Sequence, residues 1–271
     1  MQSDPLPADL ADAFAHAAPQ LGKLGSPLLY FSTIGSTNDV AVRLAAAGAG
    51  AVVVADAQTA GRGRRGRHWF SPPLSGLYVS AVVDLPGDER PPGDGSRLRT
   101  RARALLTLAA GVALAEGIQA VTGLQVEIKW PNDLLVGSRK LAGILAEAAT
   151  PQTVVLGYGI NVGTMAYPPD LADRATSLES ELGRPIDRAA LCVETLVCLA
   201  RWHAHLEAGR FDAILDAWRL RAPGSVGRRV AWETTSGSQS GVTAGIDETG
   251  ALLVTVGDRI ERLFAGEVTW V

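Results

Sequence analysis

The 271-residue chain has only two cysteines, Cys192 and Cys198, and no excess of either charge: 25 Lys and Arg stand against 28 Asp and Glu, a net charge of −3. Two cysteines are too few for the disulfide framework of a small secreted fold, and at their spacing on one helix they point in different directions. This usage fits a reduced, cytoplasmic setting. The near-balanced charge excludes a global attraction to nucleic acid or to an anionic membrane, so any basic site must be local. No uninterrupted run of about 18 apolar residues occurs. The richest stretch, 102–115, is broken or bounded by Arg101, Arg103, Thr107 and Glu116, and no membrane span is expected. The N-terminus carries Asp4, Asp9 and Asp12 where an export signal needs positive charge, so no secretory signal is expected either.

Hydrophobic residues make up 47% of the chain, enough for a real core, which excludes disordered and fibrous classes. At about 150 residues per domain, the length corresponds to one large domain plus a small one. Patterning predicts a short helix over 8–18 ended by Pro19, a strand at 28–31, a helix over 38–47 capped by Ser36 or Thr37, and strands at 51–55 and 76–84. The Pro- and Gly-rich segment 85–95 reads as a surface loop leading to a long helix over 97–121. The arginines of that helix's first turn, Arg97, Arg99, Arg101 and Arg103, are expected to be solvated. Strands at 126–130, 134–136, 141–147 and 153–157, with turns at Asn132-Asp133 and Gly137-Ser138, form a meander in a mixed or antiparallel sheet. After a loop-like, weakly helical stretch (163–185), helices span 187–209 and 211–220. Pro223-Gly224 marks a boundary, beyond which five short strands (229–233, 241–246, 251–256, 259–264, 267–271) indicate a small β-barrel of SH3-like type.

The most distinctive segment is QTAGRGRRGRHW (58–69), directly after a buried strand. Gly61, Gly63 and Gly66 let the backbone turn sharply and present N–H groups to an anion. Arg62, Arg64, Arg65 and Arg67 carry planar forks suited to phosphate and carboxylate oxygens. Inside an acidic protein this reads as a phosphate-holding site, the competing reading being an exposed turn or an RGG-type RNA-binding stretch. In EIKWPNDLL (127–135), alternation puts Val126, Ile128 and Trp130 on one face and Lys129 on the other. On an interior strand that lysine needs an anion, and a neighbouring carboxylate serves as well as a ligand. The Asn132-Asp133 turn offers an amide and a carboxylate. Ser36, Thr37 and Asn38 offer polar atoms where a helix begins, and Gly157, Gly159, Asn161 and Gly163 lie on LGYGINVG. His203 and His205 are two apart on a helix and face different ways, so no metal site is assigned to them.

Together GSTN (35–38), QTAGRGRRGRHW (58–69), KWPNDLL (129–135), KLAGILAE (140–147), GYGINV (157–162), ATSL (175–178) and the terminal GID…GALLV…AGEV (245–268) resemble the biotin protein ligases. The resemblance implies an α+β fold: a catalytic domain over 28–222 with a mixed β-sheet flanked by helices, of class II aminoacyl-tRNA-synthetase-like type. A C-terminal SH3-like β-barrel over 223–271 and an N-terminal extension over 1–27 complete it. It implies activation of biotin by ATP and Mg²⁺ to biotinyl-5′-AMP, then transfer to one lysine of a biotin carboxyl carrier protein domain of a biotin-dependent carboxylase. Carried onto matching positions, Ser36, Thr37, Asn38, Gln58 and Gly159 line the biotin pocket. Arg62, Gly63 and Arg64 wrap the carboxylate and the adenylate phosphate, and Lys129 neutralises the attacking carboxylate and α-phosphate. Trp69, Arg67, Asn132 and Asn161 lie on the nucleotide side, with Lys140 a weaker assignment; no residue is assigned as a metal ligand. The Gly-Arg loop and the stretch 163–181 are expected to order over the ligand.

Two alternatives share the resemblance. A ligase for lipoate or another acyl acid has a common fold but other motifs, and a biotin-responsive repressor requires a DNA-binding helix-turn-helix head. Only about 30 residues precede GSTN, below the roughly 40 an unstapled domain needs, so the short, ligase-only form without DNA binding is expected. A homodimer through an edge of the central sheet is a further family expectation.

Overall fold

A computed structural model of the chain describes residues 2–86, 94–165, 167–235 and 237–271. The first half builds a seven-stranded sheet from β1 (Leu28–Phe31), β2 (Val52–Ala55), β3 (Gly76–Asp84), β4 (Glu127–Lys129), β5 (Asp133–Val136), β6 (Arg139–Ala148) and β7 (Thr153–Asn161), in the order β1-β2-β3-β7-β6-β5-β4. β1 and β2 are parallel and every other neighbouring pair is antiparallel, so the sheet is mixed.

Each face of the sheet has its own cover. On one, Leu77, Ile128, Leu134, Ala142 and Ile160 join a large core with α1 (Ala8–Leu21), α3 (Asp94–Thr122) and α5 (Arg188–Glu207). On the other, Val53, Ala55, Val82 and Val155 meet Val40 and Ala41 of the short helix α2 (Thr37–Leu44). α3 is long and apolar enough by composition to cross a membrane, yet 67% of its most apolar window is buried inside the protein. It packs against α5 and against α6 (Phe211–Arg221). A short helix α4 (Leu178–Leu182) is capped by the Ser177 side chain.

The last 46 residues form a five-stranded antiparallel sheet from β8 (Val226–Thr234), β9 (Gly237–Ile246), β10 (Leu252–Val256), β11 (Arg259–Leu263) and β12 (Thr269–Trp270), in the order β11-β10-β9-β8-β12. Its Val230, Trp232, Ile246, Leu252, Val254 and Val268 belong to the same buried cluster as α3 and α5, so one core runs through both sheets.

Several expectations change. Pro19 lies inside α1, which continues to Leu21, because Leu10, Phe14, Ala17 and Leu21 recur at helical spacing and are all buried. That burial offsets the roughly 3 kcal/mol cost of an interior proline. Ser36 stands at the N-cap of α2 but makes no capping bond; Gln58 Oε1 accepts from the Thr37 N–H instead, at 2.9 Å. The helix then tightens into a 3-10 turn over Ala45–Ala47. β4 is an edge strand, not an interior one. Asp133 starts β5 rather than closing a turn, and β7 runs on to Asn161 past both of its glycines. Of the first-turn arginines of α3, Arg97 and Arg103 are exposed as expected, Arg103 with a surface bond to the Pro151 carbonyl, while Arg101 is partly buried, donating to the Glu248 carbonyl and lying over Phe211. Most of the surface loop expected at 85–95 falls on 87–93, outside the described residues.

Two glycines of α3 separate helix propensity from packing. A Cβ at Gly111 would make ordinary contact with flexible side-chain ends, Ile128 Cγ2 at 3.4 Å, Ile128 Cδ1 at 3.6 Å and Ile144 Cδ1 at 3.9 Å, whereas one at Gly117 would lie 2.8 Å from the Thr195 Cα of α5. Gly111→Ala is expected to raise stability by up to about 1 kcal/mol. Gly117→Val is expected to lower it by roughly 2–3 kcal/mol, because backbone has to move. Urea midpoints at unchanged slope measure both.

Candidate active site

The register of the main sheet sets one row of residues on the α2 face. Lys129 pairs with Asp133, Asp133 with Gly143, Gly143 with Gly159, and Gly159 with Tyr78. Paired residues share a face, so the row gives the pocket a lysine at the sheet edge and a bare floor in the middle. Over the floor lies a cleft of about 880 Å³. It takes in every site residue read from the sequence: Ser36, Thr37, Asn38, Gln58, Arg62, Gly63, Arg64, Arg67, Trp69, Lys129, Asn132, Lys140, Gly159 and Asn161. Eight Lys and Arg residues line the cleft against four Asp and Glu, an excess of positive charge that makes it the local basic site of an acidic chain.

The glycines of the floor are steric requirements. A Cβ on Gly157 would sit 2.0 Å from Asn38 Oδ1, and one on Gly159 would sit 2.3 Å from Trp69 Nε1. Gly143 lies under the same indole, 2.9 Å from Cζ3 by the same measure. Gly159 therefore seats Trp69, and whatever it contributes to a ligand passes through that ring. The buried Trp69 Nε1 has no hydrogen-bond partner among the described residues.

At the α2 end a chain of polar side chains crosses the sheet. Gln58 Nε2 donates to Ser71 Oγ (3.1 Å), and Gln58 Oε1 accepts from the N–H and hydroxyl of Thr37. Ser80 Oγ lies 2.8 Å from Thr37 Oγ1 and 2.5 Å from Asn38 Oδ1. Asn38 Nδ2 donates to Glu147 Oε2 (2.6 Å), which also receives Arg62. With Thr37, Asn38 and Ser80 all buried, such bonds are what makes burial affordable. Sequence reasoning missed Ser80 and Glu147. Ser80 left a trace as the one serine or threonine on β3, amid apolar neighbours, while Glu147 had none outside the resemblance.

The Gly-Arg loop uses its own N–H groups more than expected. The Gly63 N–H donates to the Arg67 carbonyl (2.7 Å) and is not free for an anion. Gly61 has no room for a side chain beside Ser71 Oγ and the Trp69 carbonyl, and Arg65 takes a left-handed φ of 58°.

The cations divide into two sets. Arg62 pairs with Asp39 and Glu147 (2.8 Å each), Arg67 with Glu267 (2.6 Å), and Lys140 with Asp133 (2.6 Å). Among the described residues Arg64 hydrogen-bonds neutral acceptors, Asn132 Oδ1 (3.1 Å) and the Gly266 carbonyl (3.2 Å), and no carboxylate. Lys129 has no ion pair among the described residues; its ammonium lies over the Trp270 ring, 5.4 Å from the centroid. Asp133, the carboxylate across from it in the register, forms its ion pair with Lys140 instead. Burial lowers the pKa of both Lys129 and Arg64, and Asp133 and Glu267 partly counter this for each.

The two asparagines act on neighbours. Asn132 Nδ2 donates to the Ile144 carbonyl while its oxygen holds Arg64. Asn161 Nδ2 donates to the Thr176 carbonyl (2.9 Å), fixing the stretch after Tyr167 against β6, where Lys140 exchanges backbone bonds with Arg174 and Thr176.

Gly159→Ala is expected to lift Trp69 off the floor and shift tryptophan emission to longer wavelength. In a Trp69→Phe background the same change should leave the emission where it is.

Residues 30–163 match the Biotin/lipoate A/B protein ligase family. The chain is 35% identical over 255 residues to the bifunctional ligase/repressor BirA of Bacillus spizizenii, covering 90% of this chain and 74% of that protein. It is 34% identical over 232 residues to the biotin–[acetyl-CoA-carboxylase] ligase of Paracoccus denitrificans, covering 81% and 90%. Among solved structures it is similar to the Aquifex aeolicus biotin protein ligase in complex with biotin and ATP. That likeness has a TM-score of 0.74 at 25% identity and covers 90% of this chain and 98% of that one.

Proposed function

The chain belongs to the biotin/lipoate protein ligase family, and from that membership we propose that it is a biotin protein ligase. In the first step a biotin carboxylate oxygen attacks the α-phosphorus of ATP, forming the C–O–P bond of biotinyl-5′-AMP as the bond to pyrophosphate breaks. In the second, a lysine amine of a biotin carboxyl carrier protein domain attacks the acyl carbon, AMP leaves with the bonding pair, and the amine gives up a proton. The observation that carries this reading is the pair Arg64 and Lys129: two half-buried cations with no carboxylate ion pair among the described residues, facing one cleft.

The first step brings an anion against a polyanion, and fixed cations in a partly desolvated cleft lower its barrier. Lys129 and Arg64 fill that role directly. Arg62 and Gly63 border the same place, and Arg62 joins once its two carboxylates yield to the substrate's. The ureido ring of biotin is assigned to the end built by Ser36, Thr37, Asn38 and Gln58, where hydroxyls and amides alternate. The nucleotide is assigned to the side of Trp69, Arg67, Asn132, Asn161 and Lys140. The two asparagines act there by holding Arg64 and the stretch around Thr176. Mg²⁺ is read as entering with the triphosphate, whose oxygens are its natural ligands. A mixed anhydride hydrolyses readily, so closure of the Gly-Arg loop and of 163–181 over it is part of the reading.

The division into a class II synthetase-like catalytic domain (28–222), an SH3-like barrel (223–271) and an N-terminal extension (1–27) belongs to the same proposal. So do a cytoplasmic location and a homodimer through a sheet edge.

The decisive experiment incubates the protein with ATP, Mg²⁺ and either biotin or lipoate, with an apo-carrier domain, and reads the carrier mass. Addition of biotin is expected; addition of lipoate alone would overturn the reading. Lys129→Ala is expected to slow adenylate formation by about 10² to 10³, and an unchanged rate would refute its role. Amide exchange in 62–67 and 163–181 should slow when biotin and nucleotide are added together.

A further inference from the structure

We propose that Trp270, on the last strand of the second sheet, is a positioning residue that holds the Lys129 ammonium over the cleft, which makes the second sheet part of the adenylation machinery. The inference rests on the biotin-ligase reading above. Lysine ends in a point charge on a flexible stem, and on an edge strand nothing fixes that stem unless a partner does. The groups around Lys129 are Asp133 on β5, Lys140 on β6, Glu267 before β12, and Arg174. Asp133 is paired with Lys140 and Glu267 with Arg67, and the other two repel it. Asp133 and Glu267 attract the ammonium without pairing with it among the described residues, and the group in contact range of Nζ is the Trp270 ring, whose centroid lies 5.4 Å away, within the range where an indole face attracts a cation.

The ring is itself held on several sides. β12 pairs with β8 at Trp270 and Val230. Gly224 leaves it room, since a Cβ there would lie 2.8 Å from Cζ2. The Arg228 guanidinium stacks on it at 4.6 Å. A fixed ring and an unpaired lysine on different sheets make a contact that reaches from the C-terminal strand to the reacting atoms.

The ring favours the charged ammonium. A leucine at position 270 keeps the apolar wall without the ring's field, so the lysine is less confined and loses its proton more readily. Trp270→Leu is expected to lower the rate constant of biotinyl-adenylate formation about tenfold. KM for biotin should stay unchanged, and the alkaline limb of the rate profile should move to lower pH. Trp270→Phe should restore most of the rate and the pH limb. In a Lys129→Met background, Trp270→Leu should cost nothing further. Equal rates for Trp270→Leu and the parent protein would overturn the proposal, as would full additivity with Lys129→Met, or a loss confined to KM or to thermal stability. If Trp270→Leu does not fold, Trp270→Met takes its place in the same comparison. A parent protein that makes no biotinyl adenylate sinks the functional reading first, and this inference with it; an active parent with an indifferent Trp270→Leu sinks this inference alone.

Discussion

Three positions without side chains control how closely anything approaches the main sheet. Gly157 admits Asn38, and with it the N-terminus of α2; Gly143 and Gly159 admit the indole of Trp69. A methyl group at Gly157 would overlap the Asn38 amide and push α2 outward, away from Ser80 and Glu147. The polar chain from Ser71 through Gln58, Thr37, Ser80, Asn38 and Glu147 to Arg62 exists only at that separation. Because these groups are mostly buried, each lost link would leave an unpaired donor or acceptor at about 1–3 kcal/mol. The bare floor is thus prior to the electrostatics.

On that floor the acids do selective work. Asp39, Glu147, Glu267 and Asp133 hold Arg62, Arg67 and Lys140, most of them at partly exposed positions. Exposed pairs of this kind are worth at most about 1 kcal/mol each, so they shape the loop without locking it, and a multiply charged anion can compete for the arginines. Arg64 and Lys129 are treated differently. Neutral oxygens and an aromatic ring orient them while Asp133 and Glu267 compensate their charge only in part, and the cost in desolvation shows as a lowered pKa for both. Oriented, unpaired cations in a partly dry site are what a reaction between two anions requires.

The parts legible in the sequence were those whose cause is local. Alternation placed Val126, Ile128 and Trp130 opposite Lys129, and all three are buried. The five short strands and their turns came through as the second sheet, and the mixed character of the first followed from element order. The site residues shared one cleft because their motifs sit at strand ends and loops that the sheet gathers. What was illegible depended on partners far along the chain. Pro19 stays helical because a distant core holds Leu21. The cap of α2 comes from Gln58, and β4 lies at the edge because of a strand order that no local pattern encodes. The Gly63 N–H looked free until the loop's own Arg67 carbonyl was in place. Trp270 carried no signal, being 141 residues from the lysine it faces.

That last separation bears on what a domain boundary means here. Pro223-Gly224 divides the chain by pattern, but the contacts cross it. Trp130 Nε1 donates to the Gly250 carbonyl, a Cβ on Gly250 would strike Leu105 and Leu108 at 2.9 Å, and the Gly266 carbonyl receives Arg64. The buried cluster is continuous through both sheets. An interface this close fixes the second sheet relative to α3 and β4, and so fixes Gly266, Glu267 and Trp270 relative to the cleft. Three of the cations that matter, Arg64, Arg67 and Lys129, take at least one partner from beyond the boundary. The geometry of the basic site is therefore a property of the two sheets packed together, although most of the residues that form it lie in the first.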